Sequence, residues 1–162
     1  NKNIIMAAEQ VNEVTSKNVV VVASKSIPQG LASMLTYEPD TTELSRISKA
    51  MARRMGMVKT GQVTFAVKSY PSEAGAIIEG DIMGLYNGTI KAVGKNCSEI
   101  ALLLLKEMVT EDDGVISIFY GSDIAEEEAL RLKDDIEKTF PHCQIDFCSG
   151  GQPLYYYIFS VE

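Results

Sequence analysis

The stretch GVISIFYGSDIAEEEALRLKDDIEKTFPHCQIDFC, residues 114–148, decides the expected class of fold. The apolar, β-branched run Val115–Tyr120 predicts a strand. Asp123 and Glu126 have the spacing of a capping box and open a helical pattern. A second strand-like run then leads up to Cys148. Strand, helix and strand in this order predict a right-handed crossover between two parallel strands.

The section before this stretch predicts antiparallel strands. Val63 and Phe65 alternate with polar neighbours, which is the periodicity of a half-buried strand. Further along, Asn87 and Gly88 separate two short apolar runs, and Asn-Gly is a strong signal for a two-residue hairpin turn. We therefore expect residues 60–94 to be antiparallel and the sheet to be mixed.

The N-terminal part is expected to add a helix, a strand and a helix. Apolar residues at helical spacing from Ile4 onward predict the first helix. The run NVVVVA at 18–23 is typical of a strand covered on both faces. Pro28 suits the first turn of a short helix ending near Tyr37. Because the same order recurs at 97–140, the sequence favours two related halves.

A further helix is expected after this part. Its apolar face consists of Leu44, Ile47, Met51 and Met55. Asp40 and Glu43 have capping-box spacing, and Gly56 is a typical stop signal.

Together these elements predict an α/β fold with a mixed sheet. We expect two related α/β halves packed as one unit, with an antiparallel hairpin section in the middle. Since no Pro/Gly/Ser-rich linker separates them, the chain is expected to be a single domain over 1–162, with 1–94 and 95–162 as possible lobes. The chain begins at Asn1, without an initiator methionine, so we expect it to be a piece of a longer protein.

Composition excludes several classes of function. The 162 residues are 46% hydrophobic, enough for a complete core, and the longest apolar run, 100–105, is too short to span a bilayer. The net charge of −7, with scattered Lys and Arg, argues against nucleic-acid binding, which depends on cations that neutralise phosphates. Three cysteines, an odd number, are typical of reduced thiols in the cytoplasm.

The sequence contains few of the groups that catalysis needs. His142 is the sole histidine, and its place in a turn after a proline is typical of a surface residue. His142, Cys143 and Cys148 lack the spacing of a zinc site. The chain has neither a GxxxxGK[ST] nor a GxGxxG phosphate-binding motif. We therefore expect no catalytic residue and no metal ligand in this chain.

Loops at the strand ends are the remaining candidates for a site. In open α/β sheets, ligands collect beyond the carboxyl ends of strands, where the loops 24–30, 120–123 and 150–153 are expected to lie. The candidate residues for contact with a partner or an anion are Lys25, Ser26, Gln29, Gly30, Gly150, Gly151 and Gln152. A second interpretation is equally open, in which Ser24 or Ser26 only caps a helix and Gly30 only allows close packing.

An ordered set of motifs resembles one known family over essentially the whole chain. These motifs are NKNIIMAAEQV at 1–11, KNVVVV at 17–22, KSIPQGL at 25–31, VKTGQV at 58–63, GD at 80–81, GGQPL at 150–154 and IFSVE at 158–162. The set resembles the C-terminal domain of the catalytic subunit of bacterial fatty acid kinase, a dihydroxyacetone-kinase-like protein.

The resemblance implies a division of labour within a longer protein. An N-terminal domain is expected to hold ATP and magnesium, with no cofactor in this chain. The C-terminal domain is expected to help dock a separate DegV-like fatty-acid-binding protein, whose acyl carboxylate is phosphorylated for phospholipid synthesis in the cytoplasm. This chain would then be a non-catalytic module that contacts that partner and the other domains of its own protein, without nucleic acid or membrane insertion.

Two other functions stay open on the residues alone. The strand-end loops could form a regulatory or enzymatic site for a small molecule or anion, because Lys25, Ser26, Gln29 and Gln152 are polar groups that could converge. Alternatively, the domain could serve only to complete the dimer or the core of the longer protein.

Overall fold

A computed structural model of the chain describes residues 2–41, 43–72 and 75–162. It divides into two compact units, 1–58 and 59–162. The lobes considered from the sequence met at a different point, between residues 94 and 95. Residues 59–94 join the second unit because their strands pair within the same sheet as the C-terminal strands.

The first unit is helical in its described residues. Its helices are α1 (Lys2–Glu9), α2 (Val11–Val14), α3 (Ile27–Met34) and α4 (Leu44–Gly56). Pro28 lies in the first turn of α3, as predicted. The helix α4 was also predicted, but its capping box was wrong: Glu43 itself occupies the N-cap position and makes no side-chain cap hydrogen bond.

The strand expected at 18–23 is absent: the structure describes this segment without regular secondary structure. A strand needs a neighbour that accepts its backbone hydrogen bonds, and the described part of the first unit offers no other strand. Two of its valines, Val20 and Val22, lie instead beside α3 and α4. The first half is therefore not a second α/β repeat.

The second unit contains the mixed sheet that the sequence predicted. Its strands are β1 (Lys59–Phe65), β2 (Tyr70–Ser72), β3 (Gly75–Ile77), β4 (Ile82–Tyr86), β5 (Thr89–Gly94), β6 (Val115–Tyr120), β7 (Gln144–Ser149) and β8 (Tyr155–Val161). The sheet order is β5-β4-β1-β8-β6-β7, and a separate antiparallel pair joins β2 and β3. The pair β6–β7 is parallel, whereas the other neighbours in the sheet are antiparallel.

The hairpin between β4 and β5 turns at Asn87 and Gly88, as predicted. Their φ angles of 48° and 83° place both in the left-handed region, where asparagine and glycine are the favoured residues. The last strand, β8, lies in the middle of the sheet, antiparallel to both β1 and β6. It therefore connects the antiparallel half of the sheet to the parallel pair.

Two helices, α5 (Cys97–Met108) and α6 (Glu126–Thr139), pack in one hydrophobic core with side chains of β1, β6 and β8. Asn96 and Glu99 have the spacing of a capping box in the sequence, and Asn96 caps α5 by accepting a hydrogen bond from the Glu99 amide at 3.0 Å. The cap predicted at Asp123 is wrong, because Ala125 holds the N-cap position of α6. Gly61 lets α5 approach the sheet, since a Cβ there would lie 2.8 Å from Met108 Sδ.

Candidate functional site

The first unit contains a cavity of about 540 Å³ beside α3 and α4. Its lining is Val20, Val22, Ser24, Gly30, Ser33, Met34, Tyr37, Leu44, Ile47, Ser48 and Met51. We call it the apolar cavity, because none of these residues carries a charge. The predicted apolar face of α4 supplies Leu44, Ile47 and Met51.

A second cavity of about 750 Å³ adjoins the first. Its lining is Asn12, Thr15, Ser16, Lys17, Asn18, Val19, Val20, Leu44, Ser45 and Ser48. We call it the polar cavity. Val20, Leu44 and Ser48 line both cavities, so the two are neighbours in the fold.

The loop at 25–30 has a clear structural role at the start of α3. The Gln29 amide donates a hydrogen bond to Ser26 Oγ at 3.3 Å, and Gln29 Oε1 accepts one from the Lys25 amide at 3.0 Å. Ser26 therefore caps the helix, and the Gln29 side chain holds the residue before the cap. Gly30 lines the apolar cavity, and Lys25 is exposed. The sequence placed this loop at the end of a strand over 18–23. That segment forms no strand in the structure, so the loop does not lie at a strand end.

The loop at 150–153 is also held by internal hydrogen bonds. Gln152 Nε2 donates to the Phe119 carbonyl at 3.0 Å and to the Tyr155 carbonyl at 3.3 Å. Gly150 leaves room for the Gln152 side chain, since a Cβ on Gly150 would collide with it. Gly151 has a φ of 59°, in the left-handed region that favours glycine. These contacts link β6 to β8.

The neighbouring loop at 120–123 lies beside this one, as the sequence analysis expected. The Gly150 amide donates to the Tyr120 carbonyl at 2.9 Å, and the Ser122 amide donates to the Gln152 carbonyl at 3.1 Å. A role of Gly150, Gly151 and Gln152 in binding a partner or an anion stays a prediction.

The helix α3 carries an exposed apolar stripe that the sequence analysis missed. Its residues are Ile27, Leu31, Met34 and Leu35, which are 59%, 52%, 62% and 80% exposed. They stand at positions i, i+4, i+7 and i+8, so they share one face of the helix. That spacing was readable from the sequence once α3 was assigned, but its direction toward solvent was not.

Three titratable side chains of the second unit, Cys97, Tyr157 and His142, can be judged as possible catalytic groups by their surroundings in the fold. Burial raises the pKa of the Cys97 thiol to about 12, with a smaller contribution from Glu128, so the thiol is protonated at neutral pH. Burial also raises the pKa of Tyr157, whose hydroxyl lies in the core. His142 is exposed, with Nε2 at 3.3 Å from the Thr110 carbonyl.

A partly buried ion pair joins Lys59 to Asp113 at 2.6 Å. Burial opposes the ionisation of Asp113, but hydrogen bonds from Lys59 and Thr110 outweigh it and hold the pKa of Asp113 below its ordinary value. Because β1 begins at Lys59, the pair fixes the start of that strand to the loop before β6.

The described residues offer neither a metal centre nor a membrane-spanning helix. Among them, no group of three or more His, Cys, Asp or Glu side chains could hold a metal ion. No helix in that same part of the chain is both long and apolar enough to cross a membrane.

Comparison with known proteins gives one consistent result. The family of the C-terminal part of FakA-like fatty acid kinase proteins matches residues 1–162. Protein YloV of Bacillus subtilis (strain 168) is 39% identical over 162 residues. Uncharacterized proteins of Staphylococcus saprophyticus and of Staphylococcus aureus (strain USA300) are each 33% identical over the same length. Each match covers 100% of this chain but 29% of the relative, so the chain spans about three-tenths of their length.

Proposed function

Because the chain belongs to the FakA-like fatty acid kinase family, whose C-terminal part it matches, we propose that it is a non-catalytic docking module of a fatty acid kinase. Its partner is a DegV-like protein that carries the fatty acid. ATP and magnesium bind an N-terminal domain of the longer protein. There a carboxylate oxygen of the acyl chain attacks the γ-phosphorus, ADP leaves, and an acyl phosphate forms for phospholipid synthesis in the cytoplasm.

The exposed apolar stripe of α3 is the observation that carries this proposal. Four large apolar side chains on one helical face exceed the scattered exposure that is usual for a protein surface. A helix that lays such a face into a groove of a partner is a common mode of recognition. Its anchors here are Leu31 and Met34 near the middle of the stripe.

Lys25 supports the same surface from its edge. It is exposed, precedes α3 by two residues, and forms no salt bridge within the described residues. A charge at the rim of an interface acts mainly on the rate of association. We therefore assign the stripe to affinity and Lys25 to the approach of an acidic partner surface.

Isothermal titration calorimetry tests this assignment. The 162-residue chain is titrated with the DegV-like protein of the same organism, loaded with oleate. Leu31→Asp should weaken binding by at least about tenfold, because it places a charge at an apolar anchor. Leu103→Asp is the matched control: Leu103 is also 52% exposed but lies on α5, so this change should leave the affinity unaltered.

Two results would overturn the proposal. One is the absence of binding at high micromolar concentration both for this chain and for the full-length kinase protein. The other is an equal effect of Leu31→Asp and Leu103→Asp. A third result also counts against docking: if the stripe instead completes the core of the longer protein, the α3 amides will be more strongly protected from hydrogen exchange in the full-length protein without any partner than in this chain.

A further inference from the structure

The helix α4 has a basic face that the docking proposal does not use. Its members are Arg46, Lys49 and Arg53, and we call them the basic row. We propose that the basic row is a contact surface for an anionic lipid bilayer. The contact is adsorption to lipid head groups, so it requires no helix that enters the hydrocarbon.

The three cations of the basic row form one line along the outer face of α4. They stand at positions i, i+3 and i+7 of the helix, and all three residues are exposed. A rise of about 1.5 Å per residue makes the row about 10 Å long. Leu44, Ile47 and Met51 lie on the opposite face of the helix and line the apolar cavity. The basic row therefore faces away from the cavity that α3 also lines.

No carboxylate of α4 neutralises the basic row. The helix, LSRISKAMARRMG, contains neither Asp nor Glu, and Glu43 precedes it at the N-cap position. Arg46 pairs with Glu38 at 3.2 Å, but both side chains are more than half exposed, so water screens the pair. Lys49 and Arg53 form no salt bridge within the described residues. An anionic surface can therefore contact both of these cations without displacing a carboxylate.

Charge is divided unevenly between the two units. Residues 1–58 hold seven of the 15 Lys and Arg residues and five of the 22 Asp and Glu residues. The first unit therefore carries a net charge of +2, and the second carries −9. Salt screens charges beyond about 10 Å at about 0.1 M, so the local charge of α4 decides the contact rather than the net charge of the whole chain. The basic row thus belongs to the unit that an anionic surface attracts.

The shape of this face favours a bilayer over an acidic protein. Exposed small residues, Ser45, Ala50 and Ala52, flank the basic row and leave it flat. Met57 follows Arg53 by four residues, has a helical backbone and is 60% exposed, so it adds an apolar side chain at the end of the row. Protein interfaces gain most of their affinity from large side chains in desolvated pockets, which a flat row does not provide. Cations beside an exposed apolar side chain are instead typical of helices that lie on lipid head groups.

Sedimentation with lipid vesicles measures this contact on the 162-residue chain, without any partner protein. The probes are vesicles of phosphatidylcholine alone and of an equimolar mixture with phosphatidylglycerol, which is anionic. Each Lys or Arg near an anionic surface adds about fivefold to the affinity, so the basic row predicts a preference of about a hundredfold for the anionic vesicles at about 0.1 M salt. At about 1 M salt, where the screening length falls to about 3 Å, this preference should disappear.

Charge reversal locates the contact on α4. Lys49→Glu and Arg53→Glu together should lower the affinity for anionic vesicles at least about twentyfold at about 0.1 M salt, because two attractive charges become repulsive. The matched control is the pair Lys68→Glu and Lys91→Glu in the second unit. Both of these lysines are exposed and the change in net charge is the same, so the affinity should fall by less than about threefold. Circular dichroism checks that both double variants keep the helical content of the unaltered chain.

Nitroxide-labelled lipid in the anionic vesicles gives a measurement that needs no variant. The label broadens the NMR signals of amides that approach the bilayer. The amides of Lys49 and Arg53 should lose more intensity than those of Arg131 and Lys133, which are cations on the acidic helix α6.

Poly-L-glutamate, an anionic polypeptide without lipid, tests the alternative occupant at the same concentration of negative charge. Three outcomes overturn the inference: equal affinity for the two kinds of vesicle at about 0.1 M salt, an equal effect of the two double variants, or tighter binding of poly-L-glutamate than of anionic vesicles. The last outcome would assign the basic row to an acidic polypeptide. Because no partner protein is present, none of these outcomes bears on the docking proposal.

Discussion

The two units differ in where they place their apolar side chains. The second unit buries them in one continuous core around α5, α6 and the sheet. In the described part of the first unit, the buried apolar side chains other than Pro28 are Ala32, Ile47 and Val58, while most large ones are exposed. A unit of about 58 residues buries a smaller share of its surface than a larger one. The second unit thus has a continuous core, whereas the described part of the first leaves most of its large apolar side chains exposed.

This contrast has a consequence for mutation. A side chain in the second unit contributes to stability through the core, so its removal lowers the free energy of unfolding. An exposed apolar side chain in the first unit contributes little to that free energy, because it is already in water, and under the docking proposal its removal acts on binding instead. Four experiments test this contrast, and they follow in order of decreasing expected effect.

The largest expected effect follows from opening a cavity in the core of the second unit. Leu104 on α5 is 0% exposed, so Leu104→Ala should lower the free energy of unfolding by about 2–5 kcal/mol. Leu35, the C-cap residue of α3, is 80% exposed, so Leu35→Ala should change the free energy of unfolding by less than about 0.5 kcal/mol. Six of the seven tyrosines lie in 59–162, so near-ultraviolet circular dichroism during urea unfolding reports on the second unit. Far-ultraviolet circular dichroism in the same titration reports on both. Equal costs of the two substitutions would refute the contrast.

Glycines give the next effect, with opposite signs in the two units. A Cβ on Gly121 would collide with the backbone carbonyl of Tyr155, so Gly121→Ala should destabilise the fold by about 1–3 kcal/mol. Gly30 lies within α3, and a Cβ on it would lie 3.6 Å from Ser24 Oγ, which is an ordinary van der Waals distance. Gly30→Ala should therefore stabilise by about 0.5–1 kcal/mol. Thermal unfolding of both variants checks the signs, and a destabilising Gly30→Ala would contradict the account of the first unit.

Local signals predicted most of the second unit. The Asn87-Gly88 turn and the Asn96 cap each depend on a few neighbouring residues, and the parallel pair β6–β7 follows from the order strand, helix, strand within residues 114–148. The structure has all three. The position of β8 was beyond such reasoning. Pairing of the last strand with β1 joins residues about a hundred positions apart, and no local pattern encodes that choice.

The first unit was harder to predict, for a related reason. The valines at 18–23 have the composition of a strand, but strand formation depends on a pairing neighbour elsewhere in the chain. The apolar cavity likewise depends on residues that are distant in the sequence, so the sequence did not predict it. The sequence identified the apolar face of α4, yet only the arrangement of α3 and the 18–24 segment makes a cavity of it. The loop residues Lys25, Ser26 and Gln29 were chosen for their polarity, but Ser26 caps α3 and the Gln29 side chain binds the Lys25 amide.

The partly buried ion pair of the second unit, Lys59–Asp113, predicts a pH-dependent effect. Asp113→Asn removes the acceptor of Lys59 and should lower the free energy of unfolding by about 1–3 kcal/mol at neutral pH. The pKa of Asp113 in the folded chain lies below its ordinary value of 3.8. Its contribution is therefore complete above that value and is lost as the pH falls through the lower folded value.

The measurement is urea unfolding of the unaltered chain and the Asn variant at several pH values. Their difference in free energy should shrink below about pH 4. Asp112→Asn is the matched control, since Asp112 is the exposed neighbour and should show no such difference. A difference that grows toward low pH would mean that the pKa is shifted in the other direction.

The smallest effect is expected from an ion pair in the first unit. Arg46 and Glu38 lie 3.2 Å apart, but both side chains are more than half exposed. Solvent and salt screen such a pair, so Glu38→Gln should change the free energy of unfolding by less than about 0.5 kcal/mol. Unfolding at low and at high salt checks this, and a loss as large as that for Asp113→Asn would show that the first unit depends on its surface contacts. The same kind of pair thus stabilises the fold only where the second unit shields it from water, which is why substitutions on the first unit are best judged by binding.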